Sequence, residues 1–229
     1  MTKIDIISGF LGAGKTTLIK KLIEEAFTGE KLVLIENEFG EIGIDGGFLK
    51  DSGINITEMN SGCICCSLVG DFGTALAEVL EKYAPDRIII EPSGVGKLSD
   101  VIKAVLGVKE KVAEDSVVLN SFTTVADATK CKMYMKNFGE FYNNQVEHAG
   151  TIVLSRTGNM KEDKLQACID LIRTQNAEAS IITTPWDQIN GKQILDAMEK
   201  KNDLVKELLE EEDVCPECGH HHEHGENCT

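Results

Sequence analysis

The sequence predicts an α/β fold, a three-layer sandwich around a mainly parallel, doubly wound sheet. Two patterns predict it. Short β-branched runs alternate with longer helix-like segments along nearly the whole chain, and several runs are apolar throughout, as in Ile88-Ile89-Ile90. A strand covered by helices on both faces needs no polar side, so an unbroken apolar run fits a buried parallel strand. Regular alternation of the two element types is the signature of the doubly wound class.

Taken in order, strands are predicted at Ile4–Ser8, Lys31–Glu36, Arg87–Glu91, Val117–Val125, Thr151–Ser155 and Ser180–Thr184. Helices are predicted at Thr16–Ala26, Gly70–Lys82, Leu98–Leu106, Met160–Thr174 and Gly191–Met198. No internal repeat is visible. After Met198 the character changes: Val205, Leu208 and Leu209 suggest one amphipathic helix, which fades into the acidic run Glu210–Asp213. Residues Cys215–Thr229 carry no periodicity and too little apolar content to pack. The domain is therefore set at 1–200 and an acidic helix with a Cys/His-rich tail at 201–229.

Composition narrows the partners. A hydrophobic fraction of 42% supports a real core in a chain of 229 residues. The net charge of −15 argues against nucleic acid or an anionic membrane as the main partner, since both would be repelled. The N-terminus, MTKIDIISGF, lacks the apolar core and cleavage site of a signal peptide, and no run approaches the ~18 apolar residues of a membrane span. A cytoplasmic location is expected, and the eight cysteines then point to metal or redox work before disulfides.

The first predicted strand runs into Gly9-Phe-Leu-Gly12-Ala13-Gly14-Lys15-Thr16, the full G-x-x-x-x-G-K-[ST] pattern, followed by Thr17. With strand before and helix after, the glycines let backbone N–H groups curl around phosphate oxygens while the helix N-terminus faces the same point. Lys15 is the candidate catalytic cation for the β- and γ-phosphates, and the Thr16 hydroxyl is a candidate Mg²⁺ ligand. These residues narrow the fold to a P-loop NTPase sandwich and the ligand to a nucleoside triphosphate. Glu91, at the end of a predicted strand, is the second catalytic candidate: it could hold Mg²⁺ directly or through water, or orient the attacking water. The bland alternative for Glu91 is a solvated acid at a strand terminus.

Four motifs then occur in order: SGFLGAGKTTL, IENEFGEIGID, SGCICCS and IIIEPSG. With them the chain resembles the CobW-like family of P-loop GTPases, the metal-insertion and cobalamin-related branch that is kin to the urease and hydrogenase nickel-insertion GTPases. The likeness runs from about Lys3 to about Trp186, with TTVADA and NQVEHAGTIVLS resembling the family's later segments. It implies a switch region at Glu36–Glu41, in which Glu36 and Glu41 are candidate metal ligands. Read from the residues alone, that stretch is three carboxylates in a glycine-rich loop, which suits a segment ordered by γ-phosphate and Mg²⁺ and equally a flexible acidic surface loop. The resemblance also implies that Cys63-x-Cys65-Cys66 is the transition-metal motif. Three thiolates select Zn²⁺ and similar ions, Co²⁺ and Ni²⁺ included, and leave one tetrahedral position open for onward transfer. The competing reading is a redox couple at Cys65-Cys66, which a reducing compartment disfavours. Cys131 and Cys168, in helical segments, read as ordinary buried thiols.

Two departures from the family stand out. GTPases of this type carry Asn-Lys-x-Asp after the strand, and here the matching residues are Ser155-Arg156-Thr157-Gly158. With glycine where the carboxylate belongs, discrimination against adenine should fall by about 1.5–3 kcal/mol. The Arg156 stem can still stack on a purine, so Ser155 and Arg156 remain nucleotide-binding candidates, with GTP favoured modestly and ATP also accepted. The second departure is length: this reads as a short form without the family's usual C-terminal domain. In its place stand Cys215, Cys218, His220, His222 and His224, candidate ligands of a metal-storing tail, for which an inert tail or appended tag is the alternative.

The function expected from all this is a GTP-hydrolysing, Mg²⁺-dependent metallochaperone that couples the nucleotide to Zn, Co or Ni binding and delivers the ion to a client metalloenzyme. The alternative is an NTP-dependent activator of a cobalamin or corrinoid protein. A plain metal buffer and a small-molecule kinase are weaker rivals. No residue reads as an arginine finger, so hydrolysis alone should be slow. The sequence leaves room for a homodimer.

Overall fold

The computed structural model describes residues 1–36, 56–60, 76–77, 79–109 and 116–200. Among the described residues seven strands form one sheet in the order β3-β2-β4-β1-β5-β6-β7, and every neighbouring pair is parallel. They are β1 (Thr2–Gly9), β2 (Leu32–Glu36), β3 (Ile56–Asn60), β4 (Arg87–Glu91), β5 (Val117–Asp127), β6 (Thr151–Ser155) and β7 (Ser180–Ile182). The helices whose bounds are described are α1 (Lys15–Glu25), α2 (Leu98–Lys109), α3 (Cys131–Asn137), α4 (Gly139–Glu147), α5 (Glu162–Arg173) and α6 (Gly191–Lys200), and residues 76–77 and 79–83 are also helical.

Side-chain alternation on the strands splits the core into two layers. Ile88 and Ile90 of β4, Ile4 and Ile6 of β1, and Val33 and Ile35 of β2 face the layer closed by α2 to α5. Ile89, Ile7, Leu32 and Leu34 face the opposite layer, where Leu18, Ile19, Leu22 and Ile23 of α1 meet Ile194 and Met198 of α6. Both faces being dry is the reason these strands carry no polar side. The expected α/β sandwich is the observed one.

One polar cluster interrupts the core near the amino ends of the strands. Arg87, 2% exposed, pairs with the fully buried Asp5, donates to Glu30 at 2.7 Å and to Glu199 at 3.2 Å, and lies 4.5 Å over the Phe27 ring. Asn120 and Ser121 also donate to Asp5, so the buried carboxylate is saturated with donors. Burial lowers the basicity of Arg87, but the charges and hydrogen bonds of Asp5 and Glu30 outweigh it and hold the guanidinium firmly cationic.

Candidate nucleotide site

The site lies where the chain leaves the carboxyl ends of the parallel strands, the edge at which open α/β sheets gather ligands. β1 ends at Gly9, whose φ of +147° is accessible to glycine, and an added Cβ there would meet the Val125 carbonyl oxygen at 2.4 Å. The loop then closes through an Ala13 N–H to Phe10 carbonyl bond of 3.1 Å and enters α1 at Gly14, with φ of +108°. Gly14 caps the helix without a side chain, so the first-turn N–H groups of α1 converge on the inside of the loop. Lys15 is buried at the start of the helix, and Thr17 is exposed.

Thr16 and Glu91 come together. The Thr16 hydroxyl donates to Glu91 at 3.0 Å from one carboxylate oxygen and 3.3 Å from the other, and Glu91 is 2% exposed. A hydroxyl and a buried carboxylate side by side are a hard-oxygen donor set of the kind Mg²⁺ takes. The end of β2 stands next to this pair: Glu36 is in register with Glu91 of β4 on one side and with Asn60 of β3 on the other. Asn60 is the last residue before the sequence Ser61-Gly62-Cys63.

On the other side of the loop is an open cavity of about 330 Å³. Ala13, Gly14 and Thr17 form one wall, Ser155 to Gly158 a second, and Pro185, Trp186 and Asp187 a third. Arg156 has φ of +60° and reaches across, donating to Asp127 at 2.6 Å and to the Gly12 carbonyl at 2.9 Å. Its head is therefore tied to the phosphate loop, and its stem spans the gap between the two walls. Asp127, 1% exposed, also accepts from the Thr129 N–H and hydroxyl. Trp186 donates from Nε1 to the Leu154 carbonyl at 3.0 Å and lies against Gly14.

Gly9, Gly12, Ala13, Gly14, Lys15, Thr16, Thr17, Glu91, Ser155 and Arg156 thus cluster at one edge of the sheet, with Glu36 beside them. Glu41, Cys63, Cys65, Cys66, Cys215, Cys218, His220, His222 and His224 lie outside the described residues. Among the described residues no group of three or more His, Cys, Asp or Glu could hold a metal. Cys131 and Cys168 are free, buried thiols. A hydrogen bond with Cys131, with burial, holds Cys168 protonated well above the ordinary thiol range. Sequence reasoning missed Asp127, Trp186 and Asp187 as parts of the site. The position of Asp127 at the end of the strand beside β1 was the available signal, whereas the turn after β7 carries no motif.

Residues 3–183 match the family described as CobW/HypB/UreG, nucleotide-binding domain. The chain belongs to this family. Among curated CobW/HypB/UreG relatives it is 29% identical over 191 residues to the zinc chaperone YeiR of Escherichia coli K12, covering 83% of this chain and 57% of that protein. It is 33% identical over 197 residues to the zinc chaperone CobW of Sinorhizobium, covering 75% of this chain and 55% of that one. The chain spans little more than half the length of these curated relatives. Among solved structures it resembles the Zn(II)-bound YjiA GTPase from E. coli, with a TM-score of 0.60 and 24% identity over 83% of this chain and 62% of that one, a likeness of fold. No helix among the described residues is long and apolar enough to cross a membrane.

Proposed function

We propose that this CobW/HypB/UreG domain is a nucleotide-driven metallochaperone: it binds and slowly hydrolyses GTP with Mg²⁺ and couples the nucleotide state to zinc held at Cys63, Cys65 and Cys66. Zinc is preferred over cobalt or nickel as the cargo because the curated relatives are named zinc chaperones. Client metalloenzyme delivery follows from the incomplete, three-thiolate ligand set, which leaves a position for the acceptor's ligand.

One observation carries the reading. The strand that leads into the cysteine motif, β3, ends in register with β2, and β2 ends in register with Glu91, the partner of Thr16. Two strand gaps separate Asn60 from Glu91, roughly 10 Å, and three residues of chain reach at most roughly 11 Å from Asn60 to Cys63. Chain length therefore limits Cys63 to roughly 21 Å from Glu91, which supports coupling between the two.

Within the site, backbone N–H groups of the loop and the N-terminus of α1 bind the phosphate oxygens, and Lys15 neutralises charge on the β- and γ-phosphates. Water attacks the γ-phosphorus, the bond to the β–γ bridging oxygen breaks, and GDP and inorganic phosphate leave. Thr16 and Glu91 would hold Mg²⁺, which when bound supplies charge neutralisation between the β- and γ-phosphates. Glu91 orients the attacking water through its carboxylate. The base wall lacks the usual carboxylate at Gly158, so GTP is favoured over ATP only about tenfold. A GTP preference beyond about a thousandfold would overturn that part.

The test of the whole is zinc affinity measured on the full chain with a non-hydrolysable GTP analogue and with GDP. Different affinities, lost in a Cys63→Ser, Cys65→Ser, Cys66→Ser variant, support the coupling. Identical affinities refute it.

A further inference from the structure

The base cavity holds an acid that the family's loop pattern does not supply. Pro185, Trp186 and Asp187 form its third wall, and Asp187 is the one carboxylate among the described lining residues. The turn that carries Asp187 is fixed at three points. Gln188 N–H donates to the Pro185 carbonyl at 2.9 Å, and Trp186 is anchored to Leu154 at 3.0 Å. Pro185 also stands against Gly158, since a Cβ added to Gly158 would lie 3.7 Å from the Pro185 Cβ. The acid is therefore presented from the element that abuts the position where the carboxylate is missing.

Two polar residues of the second wall are themselves largely buried. Ser155 and Thr157 bound the same cavity and are only 5% and 6% exposed; their hydroxyls are themselves buried and have no hydrogen-bond partner among the described residues. Arg156 is engaged by Asp127 and Gly12, so its guanidinium is committed to the frame of the cavity. Asp187 is exposed at the cavity rim, and its carboxylate makes no hydrogen bond or ion pair with another described residue.

We propose that Asp187 is the specificity-determining residue of the base pocket, its carboxylate accepting the N1–H and N2–H of guanine in place of the acid absent at Gly158. An ionised carboxylate only accepts, so it rewards a base edge that presents donors. Guanine presents two adjacent ones, hypoxanthine keeps N1–H and lacks the amine, and adenine offers an acceptor at N1. The inference rests on the nucleotide reading given above and assigns its modest guanine preference to one side chain.

The experiment titrates the full chain with GTP, ITP, ATP and inorganic tripolyphosphate, read by calorimetry or by the fluorescence of the sole tryptophan, Trp186, in the cavity wall. Wild type is expected to bind GTP about tenfold tighter than ATP, with ITP, which keeps N1–H and loses only the amine contact, between the two. Asp187→Asn should remove that advantage and leave tripolyphosphate affinity unchanged. Gly158→Asp in the Asp187→Asn background should restore it, because the space at Gly158 admits a side chain. Unchanged GTP:ITP:ATP ratios in Asp187→Asn overturn the proposal, as does an equal loss for tripolyphosphate, which would mark a structural role. A loss that falls on ATP alone overturns the guanine assignment. Failure of wild type to bind any of the four overturns the nucleotide reading itself, and this inference with it.

Discussion

Replacing Arg156 by methionine keeps most of the side-chain stem and removes the bridge between the two walls of the nucleotide site. Two contacts disappear: a charge-assisted bond of 2.6 Å to Asp127 and a bond of 2.9 Å to the Gly12 carbonyl. Charged hydrogen bonds contribute about 1.5–3 kcal/mol each. Arg156 is 49% exposed in its side chain, so solvent screens the ion pair and the lower figure applies. Asp127 also keeps both Thr129 donors, and Lys130 lies 3.8 Å away, so the buried acid is not orphaned. The expected loss of folding stability is about 1.5 kcal/mol. The φ of +60° at this position opposes the fold in any non-glycine residue by about 1–2 kcal/mol, and methionine retains that strain without the bridge that offsets it. Arg156→Gly, which relieves the strain, should therefore be no less stable than Arg156→Met. Urea denaturation gives the stabilities. Calorimetry with GTP and tripolyphosphate gives the functional half: GTP affinity should fall about tenfold, with tripolyphosphate affected less. If Arg156→Met is as stable as wild type, or if the two ligands weaken equally, the bridge does not set the geometry of the base wall.

Other expectations are equally direct. Gly9→Ala puts a methyl 2.4 Å from the Val125 carbonyl oxygen at a φ of +147°, so it should cost about 2–4 kcal/mol in urea denaturation and abolish nucleotide binding. Glu91→Gln should bind nucleotide but slow single-turnover hydrolysis by roughly 100-fold, and unchanged turnover would remove Glu91 from the chemistry. Acid should loosen α6. Its first residue, Gly191, donates to Glu25 at 2.6 Å, and hydrogen bonds from Lys21 and Gly191 hold the Glu25 carboxyl below the usual range. Burial pushes Glu199 up, but Lys3, Asn120 and Arg87 outweigh it and leave that carboxyl low as well. Both folded values are depressed, so the stabilisation is complete above the ordinary carboxylate value of about 4.3 and is lost as pH falls through the lower folded values. Protection factors of the α6 amides, the intrinsic rate divided by the exchange rate at each pH, should be flat from neutral pH to about 5 and fall below about 4. Glu25→Gln with Glu199→Gln should flatten that acid limb, and an unchanged limb would refute the assignment.

Most of the sheet was legible because its strands are buried on both faces. Arg87–Glu91 and Thr151–Ser155 have their predicted bounds, and the other expected strands shift by one or two residues at their ends. The predicted Gly70–Lys82 helix lies only partly within the described residues. β3 was missed for a physical reason. It is an edge strand, and Thr57, Glu58 and Asn60 dilute the apolar alternation by which strands are recognised. The helices α3 and α4 were missed because they have 7 and 9 residues, too short to declare themselves by propensity. They are held instead by aromatic packing, Phe10 lying 4.7 Å from Tyr134 and 4.9 Å from Phe138. At the site, the phosphate loop and Glu91 were readable because their chemistry is written in contiguous spacing. Asp187 was not, since a carboxylate two residues beyond a proline means nothing until the fold sets Pro185 against Gly158.

The cluster of Arg87, Asp5, Asn120, Ser121 and Glu199 ties β1, β4, β5 and α6 together at the amino ends of the strands. Glu91 lies four residues further along β4, roughly 13 Å away. Anchorage and chemistry thus occupy opposite rims of the same sheet. Altering Glu91 leaves that fastening untouched, so a silent Glu91→Gln variant reports lost reactivity and not a collapsed chain.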